Sequence, residues 1–275
     1  MVIQEAKKSN YSYQEWKSTI GRVAFMNCDP LFLKLSEHWN ILSAPPSWLT
    51  GHLLRRDCII APIPAADYAK NTNDLILIPD LGICSKGEVG SVLLFGNMSL
   101  EEMQTIALPS DSSSSVELLK YILKSRNLSP KLTIMGPDIG SMLSKCDGAL
   151  LIGDRALNAS RDTPKMAVLD LGVEWENLTG LPMVFGVFAA RKDTPIEDLK
   201  KAHSSLLEQL EMFEQSLSRR KEIVEMSATK SGLSIERLDK YFGEVFNRLD
   251  GSHIVGLNHF LVDACGVESG AQFRW

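Results

Sequence analysis

The sequence lacks the features that mark a secreted, membrane-spanning or nucleic-acid-binding protein. Its 275 residues contain no uninterrupted apolar run of ~18 residues, the length that a membrane helix needs. The first ten residues have neither the apolar core nor the small-residue cleavage site of a secretory signal. The formal net charge of −5 argues against a nucleic-acid partner, which calls for a basic face. We therefore expect neither a membrane nor nucleic acid as a partner.

Cysteine is scarce, and the known cofactor motifs are missing. The five cysteines are Cys28, Cys58, Cys84, Cys146 and Cys265. They form no C-x-x-C pair, which favours reduced thiols in a cytoplasm over a disulfide framework or a zinc site. The five histidines include no helical pair with a third ligand in view, so we expect no metal. The sequence also has no P-loop, no G-x-G-x-x-G and no G-x-S-x-G nucleophile motif.

What is present is an alternation of short apolar runs and amphipathic stretches from Arg22 to about Arg191. Strands separated by helices of 10–15 residues predict parallel βαβ units. From Ile196 to Cys265 the apolar residues recur at three- and four-residue spacing, which predicts helices throughout. The predicted strands are 23–26, 40–43, 58–62, 75–78, 90–95, 105–108, 132–135, 149–152, 166–169 and 183–189, and the clearest helices before residue 196 are 47–56, 112–126 and 137–145.

This order predicts an α/β protein of two lobes, the first of them discontinuous. Lobe 1 would comprise residues 1–96 and 191–275, and lobe 2 would comprise residues 97–190. Two chain crossings between the lobes would form a hinge, and the cleft between lobes is the expected ligand site. A single doubly wound domain with a helical extension is the alternative.

The stretch from Gly21 to Phe32 is the first candidate for the site. Val23–Met26 has the composition of a buried strand, and Asp29 followed by proline is typical of a helix start with Asp29 as its cap. Asn27 is then expected at the carboxyl end of a strand, beside a helix N-terminus, where α/β sheets bind ligands. A neutral amide donates and accepts hydrogen bonds without adding charge, which suits an anionic small molecule.

Two more segments carry clustered hydroxyls. Pro79–Val92 contains glycines, Ser85 and Ser91 just before an apolar strand, so its backbone could approach a ligand while its serines donate to carboxylate oxygens. An ordinary loop is an equally good interpretation of that segment. Ser112–Ser115 open a helix, and a helix N-terminus lined with hydroxyls can hold a carboxylate or a phosphate.

A third strand end, 149–152, is followed by Gly153 and Asp154. Asp154 could act as a base, but capping the following turn is the favoured role, as it is for Asp29. Trp175 is expected in the core or the cleft wall. The residues alone therefore predict an anion-binding cleft protein and leave open whether it is a binding protein or an enzyme.

Five separated motifs resemble one enzyme family over nearly the full length. They are residues 21–31, 75–83, 87–94, 150–157, and 170–175 with 179–185. In this order they resemble the chorismate dehydratase of the futalosine route to menaquinone. The resemblance implies the two-lobed fold of periplasmic binding proteins in a cytoplasmic enzyme. It also implies a lyase that removes water from chorismate to give 3-[(1-carboxyvinyl)oxy]benzoate, without a metal or an organic cofactor.

The resemblance also implies roles for individual residues. Asn27 matches the family's strand-end asparagine, and we assign it the catalytic role of orienting substrate and stabilising charge. Ser91 matches a carboxylate-binding serine. Ser114 keeps a hydroxyl where the family has threonine, whereas Ser113 replaces an arginine and Pro64 replaces a serine. The complete set of predicted substrate-binding residues is Ser91, Ser85, Ser112, Ser114, Gly153 and Asp154.

Two alternatives to this activity differ in what the sequence should contain. The related 1,4-dihydroxy-6-naphthoate synthase typically begins with a Ser-Pro-Cys-Pro-Asn-Asp type of motif and uses a histidine on lobe 2. The corresponding strand ends here carry Asn27 and Gly153-Asp154 instead, which disfavours that enzyme. A non-catalytic protein that binds a small dicarboxylate would be favoured by a secretion signal or lipobox, and neither is recognisable.

Overall fold

The computed structural model describes residues 15–275, which fold into alternating strands and helices. The strands are β1 (Thr19–Val23), β2 (Asn40–Ala44), β3 (Ala61–Pro64), β4 (Leu75–Ser85), β5 (Val92–Gly96), β6 (Thr105–Pro109), β7 (Lys131–Met135), β8 (Gly148–Ile152), β9 (Ala167–Asp170), β10 (Met183–Arg191) and β11 (Phe246–Leu249). The helices are α1 (Asp29–Phe32), α2 (Pro46–Leu54), α3 (Ala65–Lys70), α4 (Ser113–Ser125), α5 (Ile139–Leu143), α6 (Gly153–Asp162), α7 (Leu171–Thr179), α8 (Ile196–Gln215), α9 (Leu217–Ser231), α10 (Ile235–Glu244) and α11 (Gly251–His259). Within this range, none of the helices combines the length and apolar character that a membrane span requires.

The strands form three sheets. β1 and β2 pair in parallel, and Ile20 of β1 also bridges to Ile60 just before β3. A four-stranded antiparallel sheet has the order β11-β4-β10-β3. A five-stranded mixed sheet has the order β7-β6-β8-β5-β9, in which only the pairs of β6 with β7 and with β8 are parallel.

The prediction of parallel βαβ units is therefore correct for only part of the molecule. β5 runs antiparallel to both of its neighbours, and β10 runs antiparallel to β3 and β4. Residues of β5, β8 and β10 are buried almost without exception, so these strands appear as continuous apolar runs. A strand covered on both faces has the same sequence pattern in either direction, and the pattern could not distinguish them.

The first predicted strand also has different limits. β1 ends at Val23, and Met26–Cys28 forms a 3₁₀ turn instead of continuing the strand. Phe25 and Met26 are buried, which explains their apolar character. Because a buried segment need not be extended, this apolar character did not show where the strand ends. Strand β4 is longer than the predicted 75–78. It continues through the glycine-containing segment to Ser85.

The region after residue 196 is helical as predicted, with one exception. β11 interrupts the helices and pairs antiparallel with β4. α10 presents Leu238, Tyr241 and Phe242 to the core, which explains its three- and four-residue apolar spacing. The polypeptide after residue 196 thus adds both a strand and a helical layer to the four-stranded sheet.

The positions of the chain crossings depend on which sheet each strand joins. β4 belongs to the four-stranded sheet and β5 to the five-stranded sheet, with residues 86–91 between them. The return runs from β9 through α7 to β10. The division into two lobes stays a prediction, and this pairing favours crossings at 86–91 and 171–182 over the predicted ones near residues 96 and 190.

Candidate functional site

A cavity lies where the end of β1, the end of β3 and the crossing 86–91 meet the beginnings of α4 and α6. It encloses about 540 Å³, including the part of its mouth that is open to solvent. Most of its wall is apolar. Its polar side chains are Asn27, Ser91, Ser112, Ser114 and Ser115. Of the side chains in residues 15–275, none that lines the cavity is charged.

Asn27 has the properties expected of a ligand-binding amide. It lies in the 3₁₀ turn after β1, is 9% exposed, and lines the cavity. Its Oδ1 atom is buried and has no hydrogen-bond partner within the described part of the chain. A buried polar atom without a partner is costly, so this oxygen and the adjoining amide are suited to a bound molecule.

Asp29 does not have its predicted capping role. Cys28 occupies the cap position of α1, and no side chain caps that helix. The Asp29 carboxylate is fully buried, where it pairs with Arg22 and accepts a 2.6 Å hydrogen bond from the hydroxyl of Ser227 in α9. Asp29 thus connects the region after β1 to a helix nearly 200 residues later and does not face the cavity.

Ser91 lies at the end of the crossing between the two larger sheets. It is 3% exposed, lines the cavity, and its carbonyl accepts a 2.7 Å hydrogen bond from the N–H of Gly153. Just before it, the N–H groups of Val89 and Gly90 donate to the Asp170 carboxylate at 3.1 and 2.8 Å. Asp170 also caps α7 by accepting from two of its N–H groups. Three hydrogen bonds thus fix Ser91 and its loop, one at the Ser91 carbonyl and two at the N–H groups of Val89 and Gly90.

The serines at the start of α4 are partly engaged with the protein. Ser112 is the N-cap residue, and its hydroxyl is hydrogen-bonded to that of Ser115. Ser114 accepts a 3.1 Å hydrogen bond from the N–H of Ala66. Ser113, which stands where the resembled family has arginine, does not line the cavity, whereas Pro64 does.

Gly153 provides a second helix N-terminus at the cavity. It is the first residue of α6, lines the cavity, and has φ = +59°, a left-handed conformation that favours glycine. A Cβ atom at this position would lie 2.6 Å from the ring of Phe25, which also lines the cavity. The guanidinium of Arg155 lies 5.3 Å from the centre of that ring and is paired with Asp111.

Ser85 and Asp154 do not line the cavity, although the sequence suggested both as substrate contacts. Ser85 is fully buried behind the crossing, next to Gly172. Asp154 does not cap α6, whose N-cap residue is Ile152. Its carboxylate instead accepts a 2.9 Å hydrogen bond from the N–H of Met26, the residue before Asn27. The structure therefore brings five of the seven predicted residues together, and Asp154 fixes the backbone that carries one of them.

The environment of Asp154 gives a prediction for stability. Burial raises the pKa of its carboxyl, and the N–H of Met26 offsets this only in part. The ionised form is thus disfavoured in the folded state, so the contribution of this carboxyl to wild-type stability falls as pH rises above the ordinary aspartate pKa of about 3.9. Asp154→Asn stays neutral and can accept from Met26, so we expect it to gain stability relative to wild type between that pH and neutrality.

Thermal unfolding of both proteins across this pH range measures the effect. Asp263→Asn is the matched control, because that carboxylate is exposed and pairs with His259 away from the cavity. A loss of relative stability of Asp154→Asn as pH rises would instead show that the ionised carboxylate is favoured in the folded protein.

Tyr241 is a site-adjacent residue that the sequence analysis missed. This residue of α10 is fully buried, and its hydroxyl donates a 3.1 Å hydrogen bond to the Oγ atom of Ser91. Its helical spacing among apolar residues indicated a core position and gave no sign of a contact 150 residues away.

Across residues 15–275, no three His, Cys, Asp or Glu side chains are grouped so that they could hold a metal ion.

The comparisons with known proteins agree with one another. The menaquinone biosynthesis family matches residues 18–264. The chain is 30% identical over 272 residues to the chorismate dehydratase of Thermus thermophilus, which covers 92% of this chain and 97% of that protein. Among solved structures, protein AF1704 from Archaeoglobus fulgidus has a TM-score of 0.71 and 17% identity, covering 90% of this chain and 97% of its own.

A further solved structure with the same fold has a description that identifies the fold. The Candida albicans CA3427 gene product, described as having the generic periplasmic binding protein fold, has a TM-score of 0.64 at 12% identity. It covers 91% of this chain and 90% of its own. At these identities the structural likeness concerns the fold alone, and it confirms the predicted fold class. The family match confirms the resemblance seen in the five motifs.

Proposed function

This chain belongs to the menaquinone biosynthesis family, and on that premise we propose that it is a chorismate dehydratase. The observation that carries the proposal is the cavity with the unpartnered amide oxygen of Asn27 and a wall of neutral hydroxyls. The reaction would remove a ring proton and the neighbouring hydroxyl of chorismate to give 3-[(1-carboxyvinyl)oxy]benzoate and water. Because the ring becomes aromatic, the elimination has a large intrinsic driving force.

The cavity can hold a dianion without a charged side chain. The N-terminal ends of α4 and α6 lie at the cavity, at Ser112 and Gly153, and the positive ends of their helix dipoles favour an anion there. The Ser91 hydroxyl can donate to one carboxylate oxygen of the substrate. The Asn27 amide can donate to the leaving hydroxyl or the developing charge, which is the kind of fixed dipole that lowers a barrier most.

The proton acceptor is best supplied by the substrate. Within the described part of the chain, the cavity is lined by no carboxylate, histidine or lysine, so no lining side chain is a base at neutral pH. The carboxylate on the enolpyruvyl arm can take the ring proton. The C–H electron pair then forms the new ring double bond, the C–O bond breaks, and the departing hydroxide takes that proton and leaves as water. The protein contributes orientation and water exclusion through its apolar wall, including Phe25, Ile152 and Phe185.

The cysteines of the chain bear on its cellular location. All five cysteines are unpaired in the structure, and we infer on this basis a reducing, cytoplasmic location.

The predicted lobes would close over the substrate, with the hydrogen bonds from Met26 to Asp154 and from Ala66 to Ser114 joining the two sides of the cavity.

The direct test is incubation of the purified protein with chorismate alone. We expect an aromatic enolpyruvyl ether and one equivalent of water lost, detected by ultraviolet absorbance and mass spectrometry. Turnover is expected to be unchanged after treatment with a chelator, because the proposed chemistry uses only the substrate's own carboxylate and neutral protein groups. Tight binding of chorismate without product would favour a dicarboxylate-binding protein and overturn the enzyme assignment.

A further inference from the structure

We infer that Tyr241 is a positioning residue that makes Ser91 a hydrogen-bond donor toward the ligand. The inference rests on the proposed function, because it names how a cavity hydroxyl is prepared for the substrate. It begins with the 3.1 Å hydrogen bond between the two hydroxyls, which joins α10 to the chain crossing at residues 86–91.

The direction of this hydrogen bond follows from burial. The side chain of Tyr241 is fully buried, and within residues 15–275 its hydroxyl has no hydrogen-bond partner other than Ser91. A phenol proton in that position must be given to the Ser91 Oγ atom, since it would otherwise be buried without an acceptor. Burial also raises the pKa of the Tyr241 phenol above its ordinary range, so the group keeps its proton at physiological pH.

The consequence concerns the proton of Ser91. A serine hydroxyl has one proton to donate and two lone pairs to accept with. Tyr241 occupies one lone pair, and no acceptor in the described part of the chain takes the Ser91 proton. Because Ser91 lines the cavity, that proton is available to an anionic oxygen of the ligand. Donation from the phenol also polarises the hydroxyl and strengthens its own donation.

Both partners are held in place by their surroundings. The loop before Ser91 is fixed by the Asp170 carboxylate through Val89 and Gly90. On the other side, α10 packs so closely on Gly90 that a Cβ atom there would collide with the carboxylate of Glu244. Glu244 is in turn paired at 2.9 Å with Arg237, and Arg237 lies one helical turn before Tyr241 in α10. The distance between the two hydroxyls is therefore set by backbone and ion-pair contacts and does not depend on a bound molecule.

A double-mutant cycle tests the inference. We expect Tyr241→Phe to lower kcat/KM for chorismate about tenfold, and Ser91→Ala to lower it about a hundredfold, as is usual for one lost donor. The double variant is expected to equal Ser91→Ala, because the phenol acts only through Ser91. A purely structural role of Tyr241 would lower activity in both backgrounds. Equal effects of Tyr241→Phe with and without Ser91 would therefore overturn the inference, as would an unchanged kcat/KM.

Tyr68→Phe is the matched control. Tyr68 is also fully buried, but its hydroxyl accepts from the N–H of Gln272 and it does not line the cavity. We expect it to lose a hydrogen bond and some thermal stability while kcat/KM stays within about twofold of wild type. Wild-type protein that neither binds nor converts chorismate would overturn the proposed function itself. Wild-type activity with an additive cycle would overturn only the role of Tyr241.

Discussion

Asn27→Asp is expected to abolish most of the turnover of chorismate, with kcat/KM reduced roughly 10³-fold. The substitution keeps the size of the side chain but replaces the amide donor by a second acceptor. It also places a negative charge at a position that is only 9% exposed, in the cavity that we propose for a dianionic substrate. Like charges repel strongly where water is excluded. Loss of one fixed donor alone typically costs 10²–10³ in rate. Steady-state kinetics with chorismate measures the effect.

Two further substitutions separate charge from the lost donor. Asn27→Ala removes the amide without adding charge, so its kcat/KM should lie about tenfold above that of Asn27→Asp. Asn247→Ala is the control for losing a buried amide elsewhere, because Asn247 donates to the carbonyl of Gly82 outside the cavity. We expect it to reduce stability but not turnover. Wild-type activity of Asn27→Asp would remove Asn27 from the site.

Gly153→Ala is expected to lower kcat/KM about a hundredfold while the protein still folds. Its φ of +59° costs an alanine about 1–2 kcal/mol. The added Cβ atom would also lie 2.6 Å from the Phe25 ring, so the ring must shift. Phe25 lines the same cavity as Asn27, and a displacement of about 1 Å at a reacting centre can cost 10²-fold. Kinetics and thermal unfolding, measured on the same samples, distinguish the two effects.

Gly180→Ala provides the matched control. Gly180 ends α7 with φ = +69°, so alanine meets the same conformational cost, but nothing lies within 4 Å of the position its Cβ atom would take. It should lose a similar amount of stability and keep its turnover. If Gly153→Ala lost stability to the same extent but kept full activity, the contact of Gly153 with Phe25 would have no role in shaping the cavity.

The sequence predicted the parts of the site that follow from local rules. Asn27, Gly153 and the cavity-lining serines at the start of α4 each lie where a buried segment ends and a helix begins, and that position is recognisable from a short window. All of them line one cavity. The roles that depend on side-chain partners were not recognisable, because Asp29 and Asp154 have the residue types of caps but bind groups 198 and 128 positions away.

The strand β11 and the contact of Tyr241 were also not recognisable from the sequence, because both depend on partners far away in the chain. Phe246–Leu249 is only four residues long and follows a strongly helical stretch, so nothing local distinguishes it from a helix end. It is a strand because the edge of β4 offers hydrogen bonds to it. Tyr241 occupies an apolar helix position, and only the packing of α10 on the crossing gives its hydroxyl a partner.

The position of β11 late in the sequence has a consequence for folding during synthesis. A ribosome releases β4, Asn27 and Ser91 early, whereas Tyr241 emerges 150 residues after Ser91 and β11 emerges later still. Until then one edge of β4 has no partner from β11 and Ser91 has no phenol beside it. During that interval the edge of β4 that later pairs with β11 stays open to other strands, and the contact between Ser91 and Tyr241 can form only after α10 has been synthesised.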